Sequence, residues 1–198
     1  QVTVYFFKYN MHNADLASFM LGLQALSLVV IVFTPFLTRH FGKKGTMVIG
    51  LGLCVISQLV LGVGAKMMNV PILAGATILG YFGNGFFAGL LPVMLADTVD
   101  YGEWKNGVRA EGLVTSFSGI ASNLGMGMGG VVTGFLLSMN GYVTNHAQTA
   151  QALNAIEMNF VWVPFIGFGI GLILMYFYKF DKMQPQIEAD LKARHEAA

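Results

Sequence analysis

Five stretches of more than 20 residues contain no Asp, Glu, Lys or Arg, and each is long enough to cross a membrane as a helix. A helix rises about 1.5 Å per residue, so about 20 residues cross a hydrocarbon core of about 30 Å. Only 11% of the 198 residues are charged, against about 25% in typical soluble domains. The uncharged stretches are residues 16–38, 45–65, 67–96, 112–156 and 158–178. The sequence therefore predicts an all-α membrane protein.

The longest apolar segment exceeds the length of one span, and the first is shorter than one. The 112–156 stretch is too long for one span, and its second part, SMNGYVTNHAQTAQALNA, is polar without being charged, so we end a span near Ser138. The segment QVTVYFFKYN is only about ten residues long, has no signal-peptide pattern and is expected to be the last part of a truncated helix. The predicted helices are residues 1–10 (partial), 14–38, 46–65, 70–96, 111–138 and 157–179. A polar, solvated tail is predicted at residues 181–198, with a short helix after Pro185.

Lys and Arg residues are distributed unequally between the alternate loops of this topology. One set of loops holds Lys8 and Lys66, and the other set, with the C-terminal tail, holds the nine remaining Lys and Arg residues. Because cytoplasmic loops are enriched in Lys and Arg, this bias predicts a multi-pass protein of the cell membrane with a cytoplasmic C-terminus.

The residues that would support catalysis or metal binding are missing from the sequence pattern. Cys54 is the single cysteine, and the four histidines fall in loops or the tail without paired ligand spacing. There is no P-loop, nucleophile elbow or HExxH, so we expect neither an enzyme nor a bound metal. No basic run with interleaved aromatic residues indicates a nucleic-acid partner.

A charged passage, MLADTVDYGEWKNGVRAEGLV, separates two of the apolar stretches. Its carboxylates and guanidinium are expected to meet at the membrane surface. One interpretation is a solvated anchor for two helix ends, and the other is a cytoplasmic gate whose ion pairs form and break. The candidate gate residues are Asp97, Asp100, Glu103, Arg109 and Glu111.

A basic turn, RHFGKKG, joins two spans and carries Arg39, Lys43 and Lys44. A turn this short predicts that the flanking helices are antiparallel neighbours. The turn is explained either by ordinary anchoring on the basic side of the membrane or by a specific motif, since it resembles the basic cytoplasmic loop of major facilitator transporters.

The predicted helix 111–138 is rich in small and polar residues. Its glycines at four-residue spacing are explained by close helix packing, whereas its hydroxyl and amide groups favour a cavity, because unpaired polar groups are costly in hydrocarbon. Asn84, in the preceding span, fits either a helix–helix hydrogen bond or a cavity-lining position.

The passage ADTVDYGEWKNGVRAEGLVTSF resembles the glycoside, pentoside and hexuronide cation symporter family, the melibiose carrier group of the major facilitator fold. The resemblance covers essentially the whole chain and implies the C-terminal six-helix bundle, helices seven to twelve, with a missing N-terminal six-helix half as its partner. It further implies import of a sugar or glycoside bound near the midplane, driven by a co-transported sodium ion or proton, with no other cofactor.

The resemblance also implies positions for the solute. The implied substrate-binding residues are Thr115, Ser118, Ser122, Asn123, Asn84 and Ala88. Relatives often carry Lys where Asn123 stands, so either coupling does not need that Lys here or the substrate or driving ion differs. Two alternatives remain open: a major facilitator transporter of a non-sugar solute, and a membrane scaffold that transports nothing.

Overall fold

The computed structural model describes residues 2–196, with only the backbone of Lys182 and His195, and all regular structure in that range is helical. Residue 1 of the predicted first helix and residues 197–198 of the predicted tail lie outside the described residues. The helices are α1 Val2–Tyr5, continued by a π-helical segment Phe6–Asn10, then α2 Ala14–Gly22, α3 Ala25–Met67, α4 Val70–Asn106, α5 Glu111–Met139, α6 Ala150–Phe177 and α7 Phe180–Glu196. This architecture confirms the predicted all-α class.

Polar residues begin three of the long helical segments. The side chains of Asn13, Asn69 and Thr149 each accept a hydrogen bond from the backbone N–H three residues later, at 3.3, 3.1 and 3.2 Å. Such caps satisfy N–H groups that have no partner within the helix. The chain therefore starts α2, α4 and α6 at defined positions.

The long helix α3 is broken at Gly42, which divides it into a first arm, residues 25–41, and a second arm, residues 43–67. Gly42 has φ 71° and ψ 172°, a backbone conformation that is essentially restricted to glycine. Leu23 and Gln24 keep right-handed helical dihedrals, so α2 leads directly into the first arm. Residues 14–67 thus form two crossings joined at Gly42.

Contacts with α4 show that the chain reverses direction at Gly42. Along the second arm, Gly64 packs on Leu73, and Gly50 packs on Phe86 near the other end of α4. The second arm is therefore antiparallel to α4. The first arm runs parallel to α4, because Val30 packs on Gly85 and a residue four positions later, Thr34, packs on Gly89. The two arms are antiparallel to each other, as the short basic turn predicted.

Glycine allows α3 and α4 to approach backbone to backbone. A methyl group on Gly83 would lie 2.5 Å from the Gly50 carbonyl oxygen and 2.7 Å from the Cys54 sulfur. Ser57 donates a hydrogen bond of 2.7 Å to the Ala76 carbonyl across the same interface. The second arm and α4 therefore form the most closely packed part of the bundle.

The second arm also packs on α6, which in turn contacts the first segment. Gly62 faces Val161, and Phe6 stacks on Phe160 with ring centroids 4.6 Å apart. The largest hydrophobic cluster lies here and draws residues from α2, α3, α4, α6 and the π-helical segment, with Leu137 from α5.

Helix α5 takes part in this packing only near its C-terminal end, where Leu137 joins the cluster. Leu137 is its single buried residue, and a methyl group on any of Gly119, Gly125 or Gly129 would meet no other atom within 4 Å. The glycines that were interpreted as packing positions therefore have no packing partner within the described residues.

Several helix ends differ from the predicted ones. Helix α4 continues to Asn106 instead of ending near residue 96, and α6 begins at Ala150 instead of near residue 157. The tail forms one helix through Pro185, with Ile187 and Leu191 buried, so it is docked on the protein rather than solvated. Four helical segments of the described chain are long and apolar enough to cross a membrane: Ala14–Met67, Val70–Asn106, Glu111–Met139 and Ala150–Phe177. Because the first contains the reversal, they supply five crossings.

Candidate functional site

The basic turn and the acidic end of α4 meet at one end of the bundle, here called the basic end. Lys43 Nζ donates to both carboxylate oxygens of Asp97, at 2.6 and 2.8 Å. The Tyr178 hydroxyl, at the end of α6, donates to Asp97 Oδ2 at 3.3 Å. Burial, and then the charges of Asp97 and Asp181, raise the pKa of Tyr178, so the phenol stays protonated and remains a donor. Asp97 therefore joins α3, α4 and α6.

Lys44 fixes the exit of α6 at the same end. Its ammonium donates to the carbonyls of Tyr176 and Tyr178 at 3.0 and 2.7 Å, and its backbone N–H donates to Asp181 Oδ2 at 2.8 Å. A cation at the C-terminal end of a helix is favourable because the last carbonyls lack partners and carry negative partial charge. Lys44 thus holds both α6 and the start of α7 against the turn.

A second ionic cluster surrounds Arg109, in the short connection between α4 and α5. Its Nη1 donates to Asp100 Oδ1 at 3.1 Å and to Glu103 Oε2 at 2.9 Å, and its Nε lies 3.7 Å from Glu111 Oε2. The hydrogen bond with Glu103, followed by the nearby carboxylate charges, raises the pKa of Arg109, so the guanidinium stays charged. Arg109 is half exposed and Glu111 is exposed, whereas Glu103 is buried, so the cluster is open to solvent on one side only.

The structure therefore divides the candidate gate into two groups. Asp100, Glu103 and Glu111 gather around Arg109, whereas Asp97 pairs with Lys43 of the basic turn. Arg39, the first residue of that turn, is exposed and has no ion pair among residues 2–196.

Helix α7 contacts Trp104, which follows the gate residue Glu103 on α4, and this contact was not expected from the sequence. Trp104 Nε1 donates to Asp190 Oδ2 at 2.7 Å, and Arg194 Nη1 donates to the Trp104 carbonyl at 3.0 Å. Ile187 and Leu191 are buried on the same helix. The four-residue spacing of these two apolar residues in an otherwise polar tail was the available signal.

The predicted solute-contacting residues lie on two helices. On α5, Thr115 and Asn123 donate to backbone carbonyls one turn earlier, at 2.9 and 3.0 Å, and Ser118 and Ser122 make no side-chain hydrogen bond within the described chain. Asn123 also lines an open, mostly apolar groove along one face of α5.

The other two candidates lie on α4, one turn apart on one face. Asn84 is half-buried and Ala88 is exposed. No hydrogen bond within the described chain joins either of them to the α5 candidates. The structure therefore presents the candidates on two separate helix surfaces without enclosing a solute between them.

Metal-ligating side chains do not cluster in the part of the chain that the structure describes. No group of three or more His, Cys, Asp or Glu residues among residues 2–196 is arranged to hold a metal ion.

Comparison with known proteins gives a consistent set of relatives. A family model described as MFS/sugar transport protein matches residues 1–182. An isoprimeverose transporter of Lactiplantibacillus pentosus is 60% identical over 195 residues, which cover 98% of this chain and 41% of that protein.

More distant relatives carry transporter names as well. An uncharacterized symporter of Bacillus subtilis (strain 168) is 33% identical, with 95% of this chain and 41% of the relative covered. A putative sulfoquinovose importer of Escherichia coli (strain K12) is 27% identical, with 91% of this chain and 39% of the relative covered. The chain thus spans about two-fifths of the length of the curated relatives it matches.

Proposed function

Because this chain belongs to the MFS/sugar transport protein family, and within it to the glycoside, pentoside and hexuronide cation symporters, we propose that it forms the C-terminal half of a sugar transporter. It is a multi-pass membrane protein. Its function is movement of a solute without chemical conversion of that solute. An N-terminal six-helix half is the proposed partner, since the chain matches 41% of the isoprimeverose transporter's length.

The exposure of α5 carries this proposal. A helix with hydroxyl and amide groups at midspan is costly when lipid surrounds it, yet Ser122 and Asn123 are exposed in this half. An interface with the other half resolves the conflict, because a cavity there accepts polar, uncharged groups. Such groups suit a sugar, which offers hydrogen-bond donors and acceptors but no charge.

The remaining parts of the proposal concern orientation and coupling. The basic end lies in the cytoplasm and the protein in the cell membrane, because nine of the eleven Lys and Arg residues fall on that side of the predicted topology. The solute moves by alternating access, in which the halves rock about a central site. The solute is a sugar or glycoside co-transported with a sodium ion or a proton, and isoprimeverose is the first candidate from the 60% identical relative.

The test uses the full-length transporter in sealed vesicles. Labelled isoprimeverose and a panel of other glycosides are supplied under an imposed sodium or proton gradient. We expect uptake above the equilibrium level for at least one glycoside and its collapse when the gradient is dissipated. Uptake that is independent of both gradients would refute the proposed coupling to a cation. If no solute is transported at all, a membrane scaffold becomes the better explanation.

Two variants test the α5 surface in the same assay. Ser122→Leu and Asn123→Leu replace polar groups with apolar ones of similar or larger size, so sugar uptake should fall while membrane insertion is kept. The matched control is Gly167→Leu, at an exposed position of α6 where an added methyl group meets nothing within 4 Å. If both α5 variants transport sugar normally, a major facilitator of a non-sugar solute becomes the better explanation.

A further inference from the structure

A cavity of about 780 Å³ lies at the end opposite the basic end, between α1 and the second half of α5. Small-molecule sites in proteins occupy about 300–1,000 Å³. Its walls carry aromatic rings, hydroxyl groups and glycines, and no charged residue of the described chain lines it. The lining includes Tyr5, Gly130, Thr133, Gly134, Ser138 and Tyr142.

Three tyrosines form a fixed aromatic group beside this cavity. Tyr5 is stacked on Tyr9 with ring centroids 6.4 Å apart, and Tyr142 meets both rings edge to face at 5.5 and 5.6 Å. The Tyr142 hydroxyl donates to the Tyr9 oxygen at 3.3 Å, and the Asn145 backbone N–H donates to the same oxygen at 3.1 Å. Burial, as the largest cause, raises the pKa of Tyr142 to about 12, so its phenol stays neutral.

Two hydroxyl groups line the α5 wall, and a buried amide of α6 lies behind one of them. Thr133 Oγ1 donates to Asn159 Oδ1 at 3.3 Å. Asn159 is only 3% exposed, and its side-chain nitrogen is buried with no acceptor within the described chain. A buried donor without an acceptor is costly. The Ser138 hydroxyl is exposed and also has no side-chain hydrogen bond in that part of the chain.

Glycines keep the α5 wall open. A methyl group on Gly130 or Gly134 would meet no atom within 4 Å other than its own helix. From Asn123 to Gly134 is 11 residues along α5, or roughly 16 Å at 1.5 Å per residue. The cavity begins at Gly130, seven residues or roughly 10 Å beyond Asn123, so its centre lies nearer this end of α5 than the midspan positions proposed for transport.

We propose that this cavity is a second binding subsite for a neutral saccharide or glycoside, occupied from outside before the solute reaches midspan. This subsite rests on the proposed function, because both the class of solute and the location of this end outside the cell are taken from it. The apolar faces of a sugar ring pack on Tyr5 and Tyr142, and sugar hydroxyls bond with Thr133 and Ser138. The absence of charge from the lining favours a neutral solute over an anionic one.

The test measures protection of a thiol in the cavity. Ser138→Cys is placed in the full-length transporter with its other cysteines replaced, and a membrane-impermeant thiol reagent is added outside with or without isoprimeverose. At about four times the half-protecting concentration, mass action should slow labelling about fivefold. Ala147→Cys, in the exposed loop outside the cavity, is the matched control and should label at one rate throughout.

Second changes in the Ser138→Cys protein separate occupancy of the cavity from events at midspan. Asn123→Leu should lower uptake but keep protection, and Gly134→Leu, which fills the cavity, should raise the half-protecting concentration at least about tenfold. Gly167→Leu should change neither measurement.

Three results would overturn the subsite. They are no protection by the sugar, loss of protection with Asn123→Leu, and a Ser138→Cys thiol that is unreactive without sugar because the other half covers it. Failure of the proposed function would appear separately, as absence of uptake in the protein without substitutions. Protection is measured directly from the labelling rate, so the test of the subsite does not depend on a transport measurement.

Discussion

Replacing Asp97 with Asn removes one charge from the basic end while preserving the shape of the side chain. The amide oxygen introduced by Asp97→Asn still accepts from the Tyr178 hydroxyl, but the ammonium of Lys43 loses its anionic partner. The companion change Lys43→Met keeps an apolar stem and removes the ammonium. The pair therefore isolates the charge interaction between the turn of α3 and the end of α4.

The magnitude follows from the burial of the two side chains. Lys43 is 18% exposed and Asp97 is 9% exposed, at an N–O distance of 2.6 Å. Removing one partner of a fully buried pair costs about 3–5 kcal/mol, and exposed pairs contribute about 0–1 kcal/mol. For this mostly buried pair we expect a coupling free energy of roughly 2 kcal/mol.

A double-mutant cycle measures that coupling. The free energy of unfolding is obtained for the parent, Asp97→Asn, Lys43→Met and the double variant, from reversible SDS titration in mixed micelles. The control cycle uses Lys192 and Glu196, whose exposed side chains lie 3.9 Å apart, and should give less than about 0.5 kcal/mol. A coupling in the first cycle no larger than in the control would refute the reasoning.

Three further perturbations test other parts of the structure. Arg109→Ala should change the rate of counterflow more than the KM for sugar, with Arg109→Lys intermediate; a pure KM effect would contradict a gate. Trp104→Phe removes the donor to Asp190, so amide hydrogen exchange in α7 should accelerate about tenfold, as expected for one lost charge-assisted bond; unchanged exchange would show that α7 does not depend on it. Gly83→Ala should destabilise the protein by about 1–3 kcal/mol, because the added methyl group forces α3 and α4 apart. Gly75→Ala, at an open position of the same helix, should not. Equal thermal stability of the two variants would contradict the close approach of the helices.

The apolar stretches predicted the crossings well because lipid imposes one requirement on every span. They predicted helix ends poorly, because a charge marks where hydrocarbon ends, not where backbone hydrogen bonding ends. Helix α4 runs ten residues past 96 and carries Asp97, Asp100 and Glu103 on its final turns. Helix α6 begins in polar sequence, since the cap from Thr149 serves equally well in water.

The spacing of residues in the sequence could not predict most of the side-chain pairs in the candidate site. Lys43 and Asp97 are 54 positions apart, and Trp104 and Asp190 are 86 apart, so no local periodicity relates them. Arg109 and Glu103 are only six apart and flank one turn, which is why their meeting was expected. The solute-contacting positions stay predictions, because the surfaces that would complete them belong to the proposed N-terminal half.

The placement of the two ionic groups leads us to propose different mechanical roles for them in the transporter. The Lys43–Asp97 pair joins two helices of the same half, so it moves with that half as a rigid unit and need not break when the halves separate. Within the Arg109 group, the guanidinium and Glu111 are exposed at the end of the bundle, so we propose that these two can exchange partners with charges of the other half. We therefore expect the Arg109 group to be the part of the candidate gate that changes partners, and the Lys43–Asp97 pair to keep the basic end of this half intact.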